Sequence, residues 1–148
     1  MMLKRKMGTL IGLAAVTMGA CAACTPADAS ASLPSYDSLE STHQAINELI
    51  NCVDDAPDST LVYNEGVLTT TNSIKCTEVV EIFHFDSEES KAGTYSLLAE
   101  AEGTVRFAEG KNWFVVDYSD VATVEGVSDR IDVAELAENL DAQYSEVK

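Results

Sequence analysis

V-R-F-A-E-G-K-N-W-F-V-V-D-Y, residues 105–118, is the stretch on which the reading of the fold turns. Val105 and Phe107 alternate, Glu109-Gly110-Lys111-Asn112 supplies turn chemistry, and a β-branched and aromatic run follows. This pattern predicts a β-hairpin with a loop of about five residues around Gly110. It contains Trp113, the single tryptophan, whose indole can bury more apolar area than any other side chain here. On the second strand Phe114, Val116 and Tyr118 share one parity, and Trp113, Val115 and Asp117 share the other. The first set is wholly apolar or aromatic, so it is expected to face the helices. Trp113 and Val115 are then expected on the opposite face, half exposed unless the segment 119–130 folds back over them, and if exposed they are a candidate binding surface.

Working outward, residues 75–85 alternate Val79, Phe83 and Phe85 with Val80 and Ile82, a strand apolar on both faces and therefore central in a sheet. Glu78 and Glu81 on that strand call for an edge position or local solvent. Upstream, Leu61-Val62-Tyr63 and residues 67–71 are short strand candidates around Asn64-Glu65-Gly66, and Asn72-Ser73 is a turn into the long strand. A first helix is expected from a capping box of Asp37 and Glu40, with Leu39, Ile46, Leu49, Ile50 and Val53 on one face and an end near Asn51. A second helix is capped by Asp86 with Glu89, buries Tyr95, Leu98 and Ala99, and ends at Gly103. Gly93 in its middle costs about 1 kcal/mol relative to Ala. Residues 121–127 read as strand or irregular chain. A third helix opens at Asp132 with Glu135 and turns Val133, Leu136, Ala137 and Leu140 inward. The order α-β-β-α-β-β-α describes an α+β fold: a small antiparallel sheet with helices packed largely on one face.

The chain of 148 residues has room for one domain once targeting segments are set aside. Its 25 acidic residues all follow residue 20, whereas Lys4, Arg5 and Lys6 precede an apolar run. Residues 21–148 hold six basic residues against those 25 acids, a net charge of −19. So acidic a surface repels phosphate backbones and anionic headgroups, which excludes nucleic acid as a partner.

The basic triplet followed by the apolar residues 7–20 is too short and glycine-rich to span a bilayer and reads as an export signal, residues 1–20. The tetrapeptides M-G-A-C (18–21) and C-A-A-C (21–24) resemble the lipobox of bacterial lipoproteins. The resemblance implies a cysteine whose thiol is diacylated, with palmitate-type chains, and which becomes the new N-terminus. Cys21 fits best, after the small Gly19 and Ala20, with Cys24 as the alternative; Met18 stands where the lipobox usually carries Leu. The competing route is cleavage after A-D-A (27–29), which discards both cysteines and leaves a secreted protein. Several acyl chains hold a bilayer far more firmly than one, each buried CH₂ contributing about 0.8 kcal/mol. Residues 22–35 are small, polar and proline-punctuated, a flexible tether of roughly 20 Å. The anchor and tether thus occupy residues 21–35, and the domain residues 36–148.

Cys52 and Cys76 are, in an exported protein, most simply a disulfide. The competing reading is a metal site from His43, Cys52, Cys76 and His84, whose spacings match no compact zinc motif. His43 and His84 lack a nucleophile at a readable spacing, and no G-x-S-x-G, S-x-x-K or phosphate loop is present. Asp54-Asp55 with Asp58, and Asp86 with Glu88-Glu89, lack the D-x-D-x-D-G spacing of a calcium loop. They read as a helix stop and as a helix N-terminus complementing its dipole.

A helix ending at Cys52, a strand opening at Cys76, a charged helix, Gly110-Lys111-Asn112-Trp113 and a C-terminal helix together resemble small exported lipoproteins of actinobacteria. The resemblance covers residues 36–142 and implies an α+β domain on the outer face of the cell membrane, with no assigned active site. The segment 119–130 is longer than the resemblance implies. The reading is a cell-envelope lipoprotein without cofactor or catalytic residues. It acts as a surface module for an envelope protein or a small ligand. The alternative is a secreted enzyme or enzyme inhibitor whose site is assembled from residues distant in sequence.

Overall fold

The computed structural model describes residues 33–54, 63–64, 67–68, 72–121 and 130–148. The export signal, Cys21, Cys24, the alternative cleavage site, Asp55, Asp58 and residues 122–129 lie outside the described residues. The element order is α1 Leu39–Ile50, β1 Tyr63–Asn64, β2 Val67–Leu68, β3 Ser73–Lys75, β4 Val80–His84, α2 Glu88–Ala99, β5 Gly103–Glu109, β6 Trp113–Val121, α3 Val133–Asn139 and β7 Gln143–Val147. β1 and β2 form a small antiparallel pair, and the other five strands make one antiparallel sheet in the order β3-β4-β6-β5-β7. The expected α+β class and antiparallel sheet are therefore what the chain forms. The order differs from expectation in its details.

The hairpin is β5 and β6, with Glu109 opposite Phe114 and Gly110 N–H donating to the Trp113 carbonyl at 3.0 Å. Both faces of β6 are buried. Trp113 and Val115 lie with Val80, Ile82 and Ala108 under Ile46 of α1 and Val133, Leu136 and Ala137 of α3. Phe114 and Val116 lie with Phe83, Phe107 and Val105 under Tyr95, Leu97 and Leu98 of α2. This corrects the expectation of a half-exposed Trp113 and Val115: both are 0% exposed, as is Phe114. Parity separated the two sets correctly, but two of the three helices cover the Trp113 side.

The long strand expected over 75–85 is in fact two strands. Thr77 Oγ1 accepts from the N–H groups of Val79 and Val80, and Cys76 N–H donates to the Val80 carbonyl, so the chain reverses between β3 and β4. β4 is buried throughout, as a central strand should be, and Glu81 with it at 0% exposed. Neither an edge nor solvent explains that carboxylate; the Tyr118 hydroxyl reaches its Oε2 at 3.5 Å. Glu78 sits exposed in the turn.

Caps fall one residue later than expected in two helices. Ser38 with Ser41, not Asp37 with Glu40, makes the capping box of α1, and Ser87, not Asp86, caps α2 through Ser90 N–H. Asp132 caps α3 by accepting from Glu135 N–H, as expected. On α1 the buried stripe runs through Thr42 and Ile46; Leu49 and Val53 are 43% and 50% exposed. Thr42 tolerates burial because its hydroxyl donates to the Ser38 carbonyl at 2.7 Å. Gly103 opens β5 at φ +123°, a backbone region that favours glycine, instead of closing α2. The sheet has two ends, one with the loop 110–112 and the other with the Cys76–Val79 turn. They are called the hairpin end and the disulfide end below.

Candidate functional site

At the hairpin end the G-K-N-W sequence acts as a clasp on the start of the domain. The Pro34 carbonyl accepts from the Trp113 indole Nε1 at 3.1 Å and from Lys111 N–H at 2.8 Å. Asn112 pairs both ways with the Tyr36 backbone: its Oδ1 accepts from Tyr36 N–H at 3.2 Å, and its Nδ2 donates to the Tyr36 carbonyl at 2.7 Å. The Tyr36 ring lies 5.5 Å from the Trp113 ring, and burial raises its phenol pKa. A Cβ on Gly110 would run into the indole and the Pro34 carbonyl, so only glycine lets the three segments meet here. The chain is thus bound to the fold from Pro34 onward, two residues before Tyr36.

His84 completes the clasp. It is 6% exposed, opposite Trp113 in the β4–β6 register, with Nε2 at 3.1 Å from the Tyr36 carbonyl and 3.2 Å from Asn112 Nδ2. The two-way pairing with Tyr36 fixes the Asn112 amide, so its second N–H is turned to His84; Nε2 accepts from it in one ring tautomer and donates to the Tyr36 carbonyl in the other. The histidine is held as a structural hydrogen-bonding group. Lys91 of α2 secures the same loop, donating to the Gly110 carbonyl at 2.7 Å and pairing with Glu109 at 3.3 Å.

At the disulfide end Cys52 is bonded to Cys76, with Cα atoms 4.4 Å apart. Val53 N–H donates to the Cys76 carbonyl at 2.9 Å, and Asn47 Oδ1 accepts from Cys52 N–H at 2.7 Å. The expected bridge therefore pins the C-terminal end of α1 to the β3–β4 turn. With both sulfurs in the bridge and His84 at the opposite end, the four residues weighed as a metal set are not brought together. Among the described residues no group of three or more potential metal ligands occurs.

Two adjoining clefts flank the start of α3. One, of about 390 Å³, is lined by Arg106, Asp117, Arg130, Ile131, Val133 and Tyr144, among others. Two of its lining residues belong to a charge network: Arg106 pairs with Asp120 at 2.7 Å and Glu146 at 3.2 Å, and Arg130 pairs with Asp120 as well. Lys148, beside Glu146, holds that carboxyl below its usual range, helped by the Tyr144 hydroxyl. Burial, then the Glu146 charge, raises the Tyr144 phenol. Asp117, 1% exposed, accepts from Ser119 N–H at 2.8 Å across the bulge between β5 and β6. The second cleft, of about 250 Å³, lies between the last turn of α1 and α3, with Leu49, Ile50, Ile131 and Leu136 against Asp132 and Glu135. Ile131 and Asp132 are common to both. Leu49 stands far from Ile131 in the chain, so no local pattern marks this groove.

Trp113 and Val115 do not form a surface, and the condition for reading them as a binding site is not met. No described helix is long and apolar enough to cross a membrane. Comparison of the chain with protein-family models, with curated proteins and with solved structures finds no match.

Proposed function

We propose that the protein is an exported cell-envelope lipoprotein, anchored through Cys21 or alternatively Cys24, whose domain is a non-catalytic interaction module. The observation that carries this reading is the clasp at Pro34 and Tyr36. A tether from residue 21 would then join the domain at the hairpin end, where Pro34 and Tyr36 are held beside Gly110-Lys111-Asn112-Trp113. α1 then runs about 18 Å from Ser38 to the disulfide end, at 1.5 Å per residue. The exposed Leu49 and Val53 lie there, at the end of α1 far from Pro34. The disulfide supports an oxidising compartment. The engagement of His84 by Tyr36 and Asn112 supports a structural rather than a general-base role.

Fractionation of a bacterial host expressing the full chain tests the reading. The wild-type protein should sediment with membranes and be released by detergent but not by high salt. A variant carrying Cys21→Ser and Cys24→Ser should be lost from that fraction. A wild-type protein found wholly in the medium or periplasm would favour the secreted enzyme or inhibitor instead.

A further inference from the structure

The groove between α1 and α3 combines exposed apolar side chains with acids outside the described ion pairs. Leu49 is 43% exposed on its rim, with Ile50 and Ile131 beside it. Asp132 and Glu135 face the same space and take part in none of the ion pairs among the described residues. The arginines of the neighbouring cleft are committed to Asp120, and Arg106 also to Glu146. Residues 21–148 carry a net charge of −19, which disfavours a second copy of the chain and an anionic bilayer as occupants. Charge and shape together select a cation with an apolar contact surface. We propose that this groove docks a short segment of a partner protein in which Lys or Arg residues flank an apolar side chain. The apolar residue seats against Leu49, Ile50 and Ile131, and the cations meet Asp132 and Glu135.

The inference rests on the interaction-module reading and names its partner's chemistry. Fluorescence anisotropy of a fluorescein-labelled decapeptide of alternating Lys and Leu, titrated with the purified mature protein at near-physiological salt, tests it. A Glu and Leu decapeptide is the control. Leu49→Ser, at an exposed position, and the double variant Asp132→Asn, Glu135→Gln should each weaken binding by about tenfold, the scale of one contact of roughly 1.4 kcal/mol. Asn remains a good helix cap, so the fold survives the double variant. Glu88→Gln with Glu89→Gln removes the same charge from α2 on the other face and should change binding by less than about twofold. Equal weakening by both double variants, or no effect of Leu49→Ser, would overturn the proposal in favour of diffuse attraction. So would a dimer, seen by sedimentation, that Leu49→Ser dissolves. Binding is read on purified protein with or without lipid, so a failure here leaves the fractionation result untouched.

Discussion

Replacing Asn112 by Ala isolates the clasp. The change removes the acceptor for Tyr36 N–H at 3.2 Å, the donor to the Tyr36 carbonyl at 2.7 Å and the Nδ2 contact with His84 Nε2 at 3.2 Å. Each such bond contributes about 0.5–1.5 kcal/mol net. The site is half-buried, so water can replace part of what is lost, and Lys111 N–H and the Trp113 indole still hold Pro34. The expected loss is therefore about 2–3 kcal/mol, below the sum of three full bonds. Urea unfolding followed by Trp113 fluorescence reads it as a lower midpoint with an unchanged slope. The folded variant should also expose residues 33–37 to protease ahead of global unfolding, since the strap opens locally. A loss under about 0.5 kcal/mol with an uncut strap would refute the claim that Asn112 binds the chain start to the hairpin.

Trp113→Ala and Phe114→Ala should each cost about 3–5 kcal/mol by circular dichroism-monitored unfolding, because both are fully buried; a Trp113 variant costing under about 1.5 would mean its face is open. Reducing Cys52–Cys76, whose sequence separation is 24, should cost about 3.5 kcal/mol in the chain-entropy model and lower the Tm by more than about 10 °C. An unchanged Tm after verified reduction would contradict this. Gly93→Ala should stabilise by about 0.5–1 kcal/mol, because an added Cβ meets nothing within 4 Å inside α2; calorimetry showing a loss would mean the position is packed.

The hairpin was legible because alternation and turn chemistry are local, and both lie within residues 105–118. What covers each of its faces was not. The Trp113 indole is capped by Pro34, 79 residues earlier, and by α1 and α3, and parity carries no information about any of them. The turn that splits β3 from β4 hides in Thr77-Glu78, a strand-compatible pair until the Thr77 hydroxyl is seen to bind two backbone N–H groups. β7 was missed because Q-Y-S-E-V, an edge strand with one half-exposed face, shows no apolar alternation. Both cap errors share a cause: Asp37-Ser38 and Asp86-Ser87 each offer two good caps in succession, and the serine takes the role each time. The bridge was readable from the cysteine count together with the export signal expected in residues 1–20. The groove was not, because it is made only when α1 and α3 come together on the sheet.

The intact mass of the mature protein, purified from the membranes of a bacterial host, tests the central claim most directly. The expected product is a chain beginning at Cys21, or at Cys24, carrying a diacylglyceryl group and the mass of one internal disulfide. A chain beginning at Ser30 without lipid would contradict it.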